Sequence, residues 1–349
     1  MNRIKVLIAC FVLSYVLIIS TAGEAVEYKI HVLDTVPSVT SGSAYKINDN
    51  GLIVGFQTDY QNHVYYWDAD GRHSAEITLY FYLTAGVNNA GTIASGPYVR
   101  SGNTLSTLPT LDSSPPEYGN MFRDINDEGI IVGSSSVDNM SVQRAAYWDS
   151  SGVHSIGTVS NTWANAINNS GQIVGVRGVY PNDTMGFLWS NNTLIDIGLL
   201  DGNTGSSVFD INNNGQVVGT SYKKTSTYSE RFSKAILWQN GHTTDLLGWS
   251  DKSSCATGIN DSGQIVGYTV DNGKNEAFFW QNQSLLMLPG LGGNTVAYAI
   301  NSNGWIVGKA YGSNNISYAV VWEPVPEPSS LIALFSGIVT LSCLKLRRN

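Results

Sequence analysis

A nine-residue word, Ile-Asn-x-x-Gly-x-Ile-Val-Gly, recurs along almost the whole chain and constrains its fold more than any other feature. Six copies, one with Val-Val in place of Ile-Val, begin at Ile47, Ile125, Ile167, Ile211, Ile259 and Ile300, and a degraded copy occupies residues 87–93. The motif asparagines are 38 to 48 residues apart. Repeats of this length with strand-like patterning are typical of β-propeller blades, whereas the coils of a β-helix are far shorter.

Each repeat carries enough signals for four short strands. A tryptophan follows the first motif glycine after 16 to 23 residues in every repeat except the second, at Trp67, Trp148, Trp189, Trp238, Trp280 and Trp322. A turn and a further apolar stretch come next. No segment of this region keeps a 3.6-residue apolar period, so the sequence predicts an all-β fold.

The letters of the motif have a local explanation in turn chemistry. Asparagine at a strand end caps its own backbone, and the first glycine accepts a positive φ, which gives a tight hairpin with a bulge. The β-branched pair then enters the next strand, and the second glycine lets two backbones approach closely.

The two ends of the repeat region predict how the array closes. The seventh repeat stops at Trp322 without a fourth strand, whereas residues 28–34, ahead of the first motif, read like the last strand of a repeat. We therefore expect residues 26–324 to form a seven-bladed β-propeller of four-stranded blades closed by an N-terminal strand, which leaves only short, protected edges. Six or eight blades, or a stacked β-solenoid, remain as alternatives.

The repeats resemble the HAF repeat of extracellular bacterial proteins, which is named for a His-Ala-Phe word before the tryptophan. Here that word is altered, for example to Ala277-Phe278-Phe279. The resemblance covers residues 28–323. It implies an extracellular repeat protein, and it assigns no catalytic role to any residue.

Residues 1–22 have the three parts of a secretory signal peptide: basic Arg3 and Lys5, an apolar run over residues 6–19, and a small-residue exit. Cleavage after Ala22 fits the small-residue rule best, and cleavage after Ala25 is the second choice. A membrane-spanning anchor is the alternative, but a span needs about 20 apolar residues. The sequence therefore predicts export.

Residues 325–349 resemble the PEP-CTERM sorting signal of Gram-negative bacteria. They contain the triplet Pro326-Glu327-Pro328, a short hydrophobic helix predicted over residues 331–344, and a basic tail. Basic residues stay on the cytoplasmic side of a membrane, so the propeller would lie outside the inner membrane. The resemblance implies that an exosortase-type enzyme recognises Pro326, Glu327 and Pro328, cuts nearby, and sends the protein to the cell surface or extracellular polymer. A plain C-terminal anchor is the alternative.

Charge and cysteine content exclude several classes of function. Only 14 of the 19 Lys and Arg residues lie between the terminal segments, whereas the chain has 27 Asp and Glu residues. Such an acidic body repels phosphates, so we expect no nucleic-acid partner and membrane contact only through the C-terminal segment. Cys10 and Cys343 lie in the terminal apolar runs, and Cys255 alone cannot build a disulfide framework or a cysteine metal cage.

A search for catalytic and metal-binding patterns assigns no catalytic residue, metal or cofactor. His73, His154 and His242 follow the turn glycine after a tryptophan, and such repeat-equivalent positions favour a structural role. The openings at Asp124 and Asp210 are similar to those of EF-hand loops but lack the glutamate at position twelve. A pair of acids for glycoside cleavage stays open, because the separation of carboxylates is not visible in a sequence.

The segment between the Ile-Val-Gly strand and the tryptophan strand varies most between repeats. Its tyrosines are Tyr60, Tyr180, Tyr222, Tyr228 and Tyr268. Loops on a rigid scaffold often carry binding groups, and tyrosine with amides and carboxylates suits sugar recognition. We therefore expect these loops to form a binding face. The alternative is that the tyrosines only pack within the loops.

The sequence as a whole predicts an exported, non-enzymatic binding or structural module of the cell surface or extracellular matrix. Its expected partners are the exosortase-type enzyme and either exopolysaccharide or surface proteins. A polysaccharide-active hydrolase or lyase on a propeller scaffold is one alternative. A protein adhesion module, which would expose a large apolar patch, is the other.

Overall fold

The computed structural model describes residues 26–35, 40–58, 61–79, 84–137, 142–179, 183–224 and 231–325. The predicted signal peptide, the sorting triplet and the predicted C-terminal helix lie outside these ranges. Within them, no helix is long and apolar enough to cross a membrane. The chain divides into a large compact unit, Ile30–Glu323, and a second unit made of Met1–Lys29 and Pro324–Asn349, of which few residues are described.

The large unit consists of consecutive four-stranded antiparallel blades. Blade 1 contains β2 (Ser41–Ile47), β3 (Ile53–Thr58), β4 (Asn62–Asp68) and β5 (Gly71–Leu79). Blade 2 contains β6 (Ala85–Val87), β7 (Ile93–Ser95), β8 (Tyr98–Ser101) and β9 (Thr104–Thr107). A one-turn helix, α1 (Pro116–Gly119), precedes blade 3, which contains β10 (Asn120–Ile125), β11 (Ile131–Val137), β12 (Val142–Asp149) and β13 (Gly152–Ser155).

The remaining blades follow the same order from the innermost strand outward. Blade 4 contains β14 (Thr162–Ile167), β15 (Ile173–Val179), β16 (Asp183–Ser190) and β17 (Thr193–Asp196). Blade 5 contains β18 (Gly205–Ile211), β19 (Val217–Lys224), β20 (Arg231–Gln239) and β21 (His242–Asp245). Blade 6 contains β22 (Ser253–Ile259), β23 (Ile265–Asp271), β24 (Lys274–Gln281) and β25 (Ser284–Met287). Blade 7 contains β26 (Gly292–Ile300), β27 (Ile306–Gly312) and β28 (Ser317–Val325).

The fourth strand of blade 7 comes from the other end of the chain, as the sequence predicts. Strand β1 (Glu27–Val32) pairs with β28, and the Leu33 amide just after it donates to the Ala319 carbonyl at 3.0 Å. A single parallel bridge between Ser41 and Ser317 also joins blade 7 to blade 1. The prediction of a seven-bladed propeller closed by an N-terminal strand is confirmed, and the alternatives of six or eight blades or a solenoid are wrong.

The β-branched pair of the motif fills the two faces of each blade. Val217 packs in a cluster with blade 4 residues, whereas its neighbour Val218 packs with residues of blade 6. Successive side chains of a strand point to opposite faces, so an adjacent apolar pair serves both interfaces at once. This explains why the repeat has two consecutive apolar residues in place of an alternating pattern.

Several motif tryptophans hold the segment that enters their blade. The indole Nε1 of Trp148 donates to the Pro109 carbonyl at 2.8 Å, and that of Trp322 donates to the Pro289 carbonyl at 2.7 Å. Both indoles are nearly inaccessible to solvent. A buried indole N–H needs a partner, and the linker carbonyl supplies it.

The second motif glycine marks a close approach of two backbones. A Cβ built on Gly219 would lie 2.2 Å from the Ser207 carbonyl oxygen, and the equivalent Gly308 would meet the Val296 oxygen at 2.1 Å. Strand β18 has a register shift beside this glycine, between Val208 and Asp210. The glycine thus accommodates a bulge that tilts part of the innermost strand, as the motif letters predict.

Candidate functional site

Each motif asparagine caps its own hairpin. Asn212 is 4% exposed, and its Oδ1 accepts the amide N–H of Gln216 at 2.9 Å and that of Asn214 at 3.1 Å. The bond to the residue four positions later recurs in all seven repeats, including the degraded second one, where Asn88 accepts from Thr92. The predicted local cap is therefore confirmed.

The same asparagines also join neighbouring blades, which the sequence did not predict. The Nδ2 of each one donates to the backbone carbonyl of the motif asparagine in the next blade, at 2.8 to 3.2 Å. The last bond runs from Asn301 back to Asn48 at 3.1 Å and closes the circle. We call Asn48, Asn88, Asn126, Asn168, Asn212, Asn260 and Asn301 the asparagine ring.

The residues that follow the motif asparagines make a second set of bonds between blades. In six of the seven repeats, the residue after the motif asparagine donates its backbone N–H to the side-chain oxygen of its counterpart in the next blade, for example Asn213 to Asp261 at 2.8 Å. Asp49 accepts the Ser302 amide at 2.9 Å across the junction of blades 7 and 1. Burial opposes ionisation of Asp49, but hydrogen bonds from Ser302 and Asn89 prevail and lower its pKa. Hydrogen bonding at these turns is therefore continuous through the closing junction.

The asparagine ring surrounds the mouth of a cavity of about 180 Å³ on the propeller axis. Lys46, Asp124 and Asp210 reach into it from the innermost strands of blades 1, 3 and 5, each two residues before a motif asparagine. The other four blades have glycine or alanine at this position, namely Gly86, Ala166, Gly258 and Ala299. Three charged side chains from alternate blades therefore meet in the middle of the channel.

These three side chains form one ion-pair cluster. The Lys46 Nζ lies 3.2 Å from Asp124 Oδ1 and 3.9 Å from Asp210 Oδ1. The second oxygen of Asp124 accepts the Ile167 amide at 3.2 Å, and that of Asp210 accepts the Ile259 amide at 3.0 Å. Each carboxylate is thus fixed both by the ammonium and by the backbone of the following blade.

The enclosed position shifts the ionisation of the cluster. Burial raises the pKa of Asp210 from 3.8 to about 6 against the attraction of Lys46, and the nearby Asp124 adds to the increase. Burial by itself lowers the pKa of Lys46, but Asp124 and Asp210 outweigh it, so this pKa lies above its usual value. The ammonium stays charged at neutral pH, whereas Asp210 is the group that titrates.

Replacing Asp210 by asparagine is expected to stabilise the protein at neutral pH. A carboxyl whose folded pKa lies above its unfolded value costs stability once the pH exceeds the folded pKa, and the cost disappears as the pH falls toward 4. The shift from 3.8 to about 6 corresponds to about 1 to 3 kcal/mol for a side chain that is 16% exposed. Urea unfolding of Asp210→Asn and wild type should therefore differ at about pH 7.5 and converge at about pH 4. A difference that is the same at both pH values would contradict the assignment.

A second row of residues lies one position earlier on each innermost strand, at the bulge in every blade except blade 2. The row consists of Tyr45, Ala85, Arg123, Asn165, Phe209, Thr257 and Tyr298, each three residues before a motif asparagine. Arg123 donates to the Asn165 Oδ1 at 2.7 Å, and the rings of Tyr45 and Tyr298 stack with centroids 4.7 Å apart. Phe209 is 37% exposed although it lies in the middle of its strand. The second row therefore combines aromatic, amide and guanidinium groups.

The two described tyrosines that were expected on binding loops lie in strands. Tyr222 lies in β19 and is 2% exposed, with its hydroxyl 2.8 Å from the Thr184 Oγ1 of blade 4. The prediction that Tyr222 lies on a binding face is wrong, because the strand continues further than expected and turns this ring into the blade interface. Tyr268 lies in strand β23 and is half-buried, where the neighbouring Cys255 thiol and burial raise its pKa. Tyr60, Tyr180 and Tyr228 lie outside the described residues.

The remaining reactive side chains have structural contacts. The Nε2 of His73 lies 2.9 Å from Asp68, and that of His154 lies 3.1 Å from Asp149, with each imidazole stacked on a tyrosine. The Ser151 hydroxyl also meets His154 Nε2, the same nitrogen that faces Asp149, whereas a catalytic triad needs opposite nitrogens. Burial raises the pKa of the Cys255 thiol to about 12, so it is not a nucleophile at neutral pH.

Metal binding finds no support in the part of the chain that the structure describes, where no three His, Cys, Asp or Glu side chains are grouped to hold an ion. The two openings that are similar to EF-hand loops contribute Asp124 and Asp210 to the channel, where both pair with Lys46. The sequence contains a signal for the channel. The residue two positions before each motif asparagine changes its chemistry from repeat to repeat, while the motif letters that follow it stay the same.

Comparison with known proteins adds information on the fold. No protein-family model matches the sequence, and no curated protein matches it. The structure is similar to the β-propeller domain of the Trilobed protease from Pyrococcus furiosus, with a TM-score of 0.53 and 12% identity over 82% of this chain and 95% of that one. It is also similar to the Pyrococcus horikoshii acylaminoacyl peptidase, with a TM-score of 0.52 and 11% identity over 88% of this chain and 53% of that one. At these identities the likeness concerns the fold alone, so the chain has the fold of a β-propeller and its function has to be inferred from its own channel.

Proposed function

We propose that the protein is an exported, non-enzymatic binding or structural module of the cell surface or extracellular matrix, and that its ligand site is the central channel. One observation carries the binding role. The repeats keep the residues that build the ring, whereas the position two residues before each motif asparagine, which places Lys46, Asp124 and Asp210 in the cavity, differs in charge and size from blade to blade. A scaffold that holds a varied set of side chains around one cavity suits recognition of a ligand of defined shape.

The location rests on the two terminal segments. Residues 1–22 have the pattern of a signal peptide, and residues 325–349 have the triplet, apolar run and basic tail of a PEP-CTERM signal. An exosortase-type enzyme acting at Pro326, Glu327 and Pro328 would then release the propeller toward the surface or the exopolymer. At the cell surface the propeller would encounter exopolysaccharide and surface proteins, which are therefore its expected partners.

A polysaccharide-active hydrolase or lyase is the second candidate, and one specific observation favours it. Asp124 and Asp210 both face one ammonium at 3.2 and 3.9 Å, so their facing oxygens are no more than about 7 Å apart. Glycosidases use carboxyl pairs at such separations, one of them with a raised pKa. We rank this candidate second because Lys46 lies between the two carboxylates and each of them also accepts a backbone amide.

One experiment separates the two candidates. The full-length chain is incubated with exopolysaccharide from the source cells, and co-sedimentation and new sugar ends are measured in the same tube. We expect the protein in the pellet without new ends. New ends that disappear in Asp210→Asn would establish the hydrolase or lyase instead, and the absence of both binding and new ends would direct the search to protein partners.

A further inference from the structure

Trp249 is a tryptophan that the repeat does not explain. It lies in the loop that joins blade 5 to blade 6, and its counterpart in the loop after blade 4 is Leu200. The two positions are equivalent because each follows by three residues a backbone N–H that donates to the third strand of its own blade, that of Leu246 at 3.0 Å and that of Ile197 at 2.8 Å. Leu200 packs against the buried cluster of blades 4 and 5. Leucine is therefore sufficient for packing at this position, and the indole needs another explanation.

The indole of Trp249 is half-buried, and its polar group is open to a ligand. Within the described ranges, its Nε1 has no hydrogen-bond partner and is not one of the buried polar atoms that lack one, so it faces solvent. The motif indoles of Trp148 and Trp322 differ, because they donate to linker carbonyls at 2.8 and 2.7 Å. Trp249 therefore has a free donor as well as an aromatic ring.

Charged and amide groups border this ring. The Lys252 ammonium lies 5.6 Å from the centroid of the indole. It donates to the Asp271 Oδ2 at 2.7 Å, and the Asn272 amide donates to the other oxygen of Asp271 at 3.0 Å. Lys252 and Asp271 are each 38% exposed, so the remaining N–H groups and lone pairs can bond to a ligand beside the indole.

The polar groups are held on a rigid support. The turn residues 272 and 273 have φ values of 49° and 77°, and Asp271 pairs with Lys274 directly behind them, which is the geometry of a two-residue hairpin. The Asn275 amide also donates to the Asn294 Oδ1 of blade 7 at 2.9 Å. A preformed arrangement loses little conformational freedom when a ligand binds.

The combination of one aromatic ring with polar groups indicates the class of ligand. The loop neighbours of Trp249, residues 248 and 250–252, are Gly, Ser, Asp and Lys, so the indole does not belong to an apolar patch for protein docking. A sugar has a C–H face that stacks on an aromatic ring and hydroxyls that form hydrogen bonds at the edge of that ring. The surface around Trp249 therefore suits a saccharide.

Charge narrows the class further. Three carboxylates and two ammonium groups lie on this surface, namely Asp251, Asp271, Glu276, Lys252 and Lys274. A phosphorylated or carboxylated sugar would meet an excess of negative charge, whereas a neutral sugar would not.

We propose that Trp249 and the adjoining turn of blade 6 form a saccharide-binding site, in which a neutral sugar stacks on the indole and hydrogen-bonds to Lys252 and Asp271. None of these residues lines the channel cavity, so the inference goes beyond the proposed function, whose ligand site is the channel. Because the site lies on an open surface, it suits an internal unit of a polymer chain.

The test compares four variants of the full-length chain with wild type. Trp249→Leu introduces the residue that follows blade 4, Trp249→Tyr keeps an aromatic face, and Asp271→Ala removes a bonding partner but keeps the indole. Tyr118→Ala is the matched control, because it removes a ring that is 78% exposed on α1, in the loop that joins blade 2 to blade 3. Binding is measured by calorimetry with cellotetraose, chitotetraose and mannotetraose, and by co-sedimentation with the exopolysaccharide of the source cells.

We expect Trp249→Leu to weaken binding by about 10-fold or more and Asp271→Ala by about 3-fold or more, with Trp249→Tyr within about 3-fold of wild type and Tyr118→Ala unchanged. Urea midpoints show whether each variant is folded, and Asp271→Ala becomes the decisive variant if Trp249→Leu is not. If wild type binds a saccharide and the decisive variant binds it equally well, the inference is overturned while the proposed function stands. If wild type binds neither the polymer nor any tetrasaccharide, the inference is overturned and the proposed function requires a protein partner.

Discussion

Replacing Lys46 by methionine is expected to lower the free energy of unfolding by about 3 to 5 kcal/mol at about pH 7.5. The substitution keeps most of the side-chain volume but leaves Asp124 and Asp210 facing each other in the cavity without a cation. These carboxylates are only 10% and 16% exposed, so water compensates for little of the lost charge. Urea unfolding followed by circular dichroism measures the loss.

The expected loss depends on pH, which distinguishes it from a packing effect. Without the ammonium, one of the two carboxyls should remain protonated well above its usual range, so the difference from wild type should shrink toward about pH 5. Lys252→Met is the matched control, because its ion pair with Asp271 has a length of 2.7 Å but both side chains are 38% exposed. We expect from it only a small fraction of the Lys46→Met loss, because water screens an exposed ion pair. A Lys46→Met loss that is equally small, or independent of pH, would contradict the buried cluster.

Replacing Asn212 by alanine is expected to cost about 3 kcal/mol, because one side chain satisfies several buried groups. Its Oδ1 accepts two amides, and its Nδ2 donates to the Asn260 carbonyl at 3.0 Å. The substitution leaves all three backbone groups without this partner. Asn301→Ala should cost a similar amount, because Asn301 makes the equivalent bonds at the junction of blades 7 and 1.

Asn214→Ala is the control for the asparagine ring. Asn214 lies in the same hairpin, and its Nδ2 also donates to the next blade, to the Asp261 carbonyl at 2.8 Å, but this contact is exposed. We expect less than about 1 kcal/mol from its loss. Similar urea midpoints for Asn212→Ala and Asn214→Ala would show that the ring contributes no more than an ordinary surface bond.

The fold was largely predictable because its signals are local. The Asn-x-x-Gly turn, the β-branched pair and the tryptophan each act within one hairpin. Each is a weak signal alone, but all three recur in register, so the number of repeats predicts the number of blades. Closure by residues 28–34 also followed from sequence, because a missing strand at one end matched a surplus strand at the other. The bulge beside Gly219 could be predicted from the second glycine of the motif alone.

The site was less predictable because its contacts join distant repeats. The Nδ2 of Asn212 bonds a carbonyl 48 residues away, and no local rule distinguishes this bond from the cap that its Oδ1 makes. Lys46 and Asp210 meet only because the propeller places blades 1 and 5 across one channel. Tyr222 was misassigned for a related reason: the length of β19 depends on its pairing with β20, which continues to Lys224 and Arg231.

Hydrogen exchange of the asparagine side-chain amides tests the central claim, which is that one closed ring of motif side chains holds the blades around the channel. The protein would be labelled with ¹⁵N-asparagine and the signals assigned by single substitutions. The structure predicts that the Nδ2 protons of Asn48, Asn126, Asn212 and Asn301 exchange slowly and with similar protection, because all four belong to the same buried circle. The exposed Asn214 should exchange rapidly. If Asn301 exchanged as rapidly as Asn214, the ring would be open between the last and first blades, and the account would be contradicted.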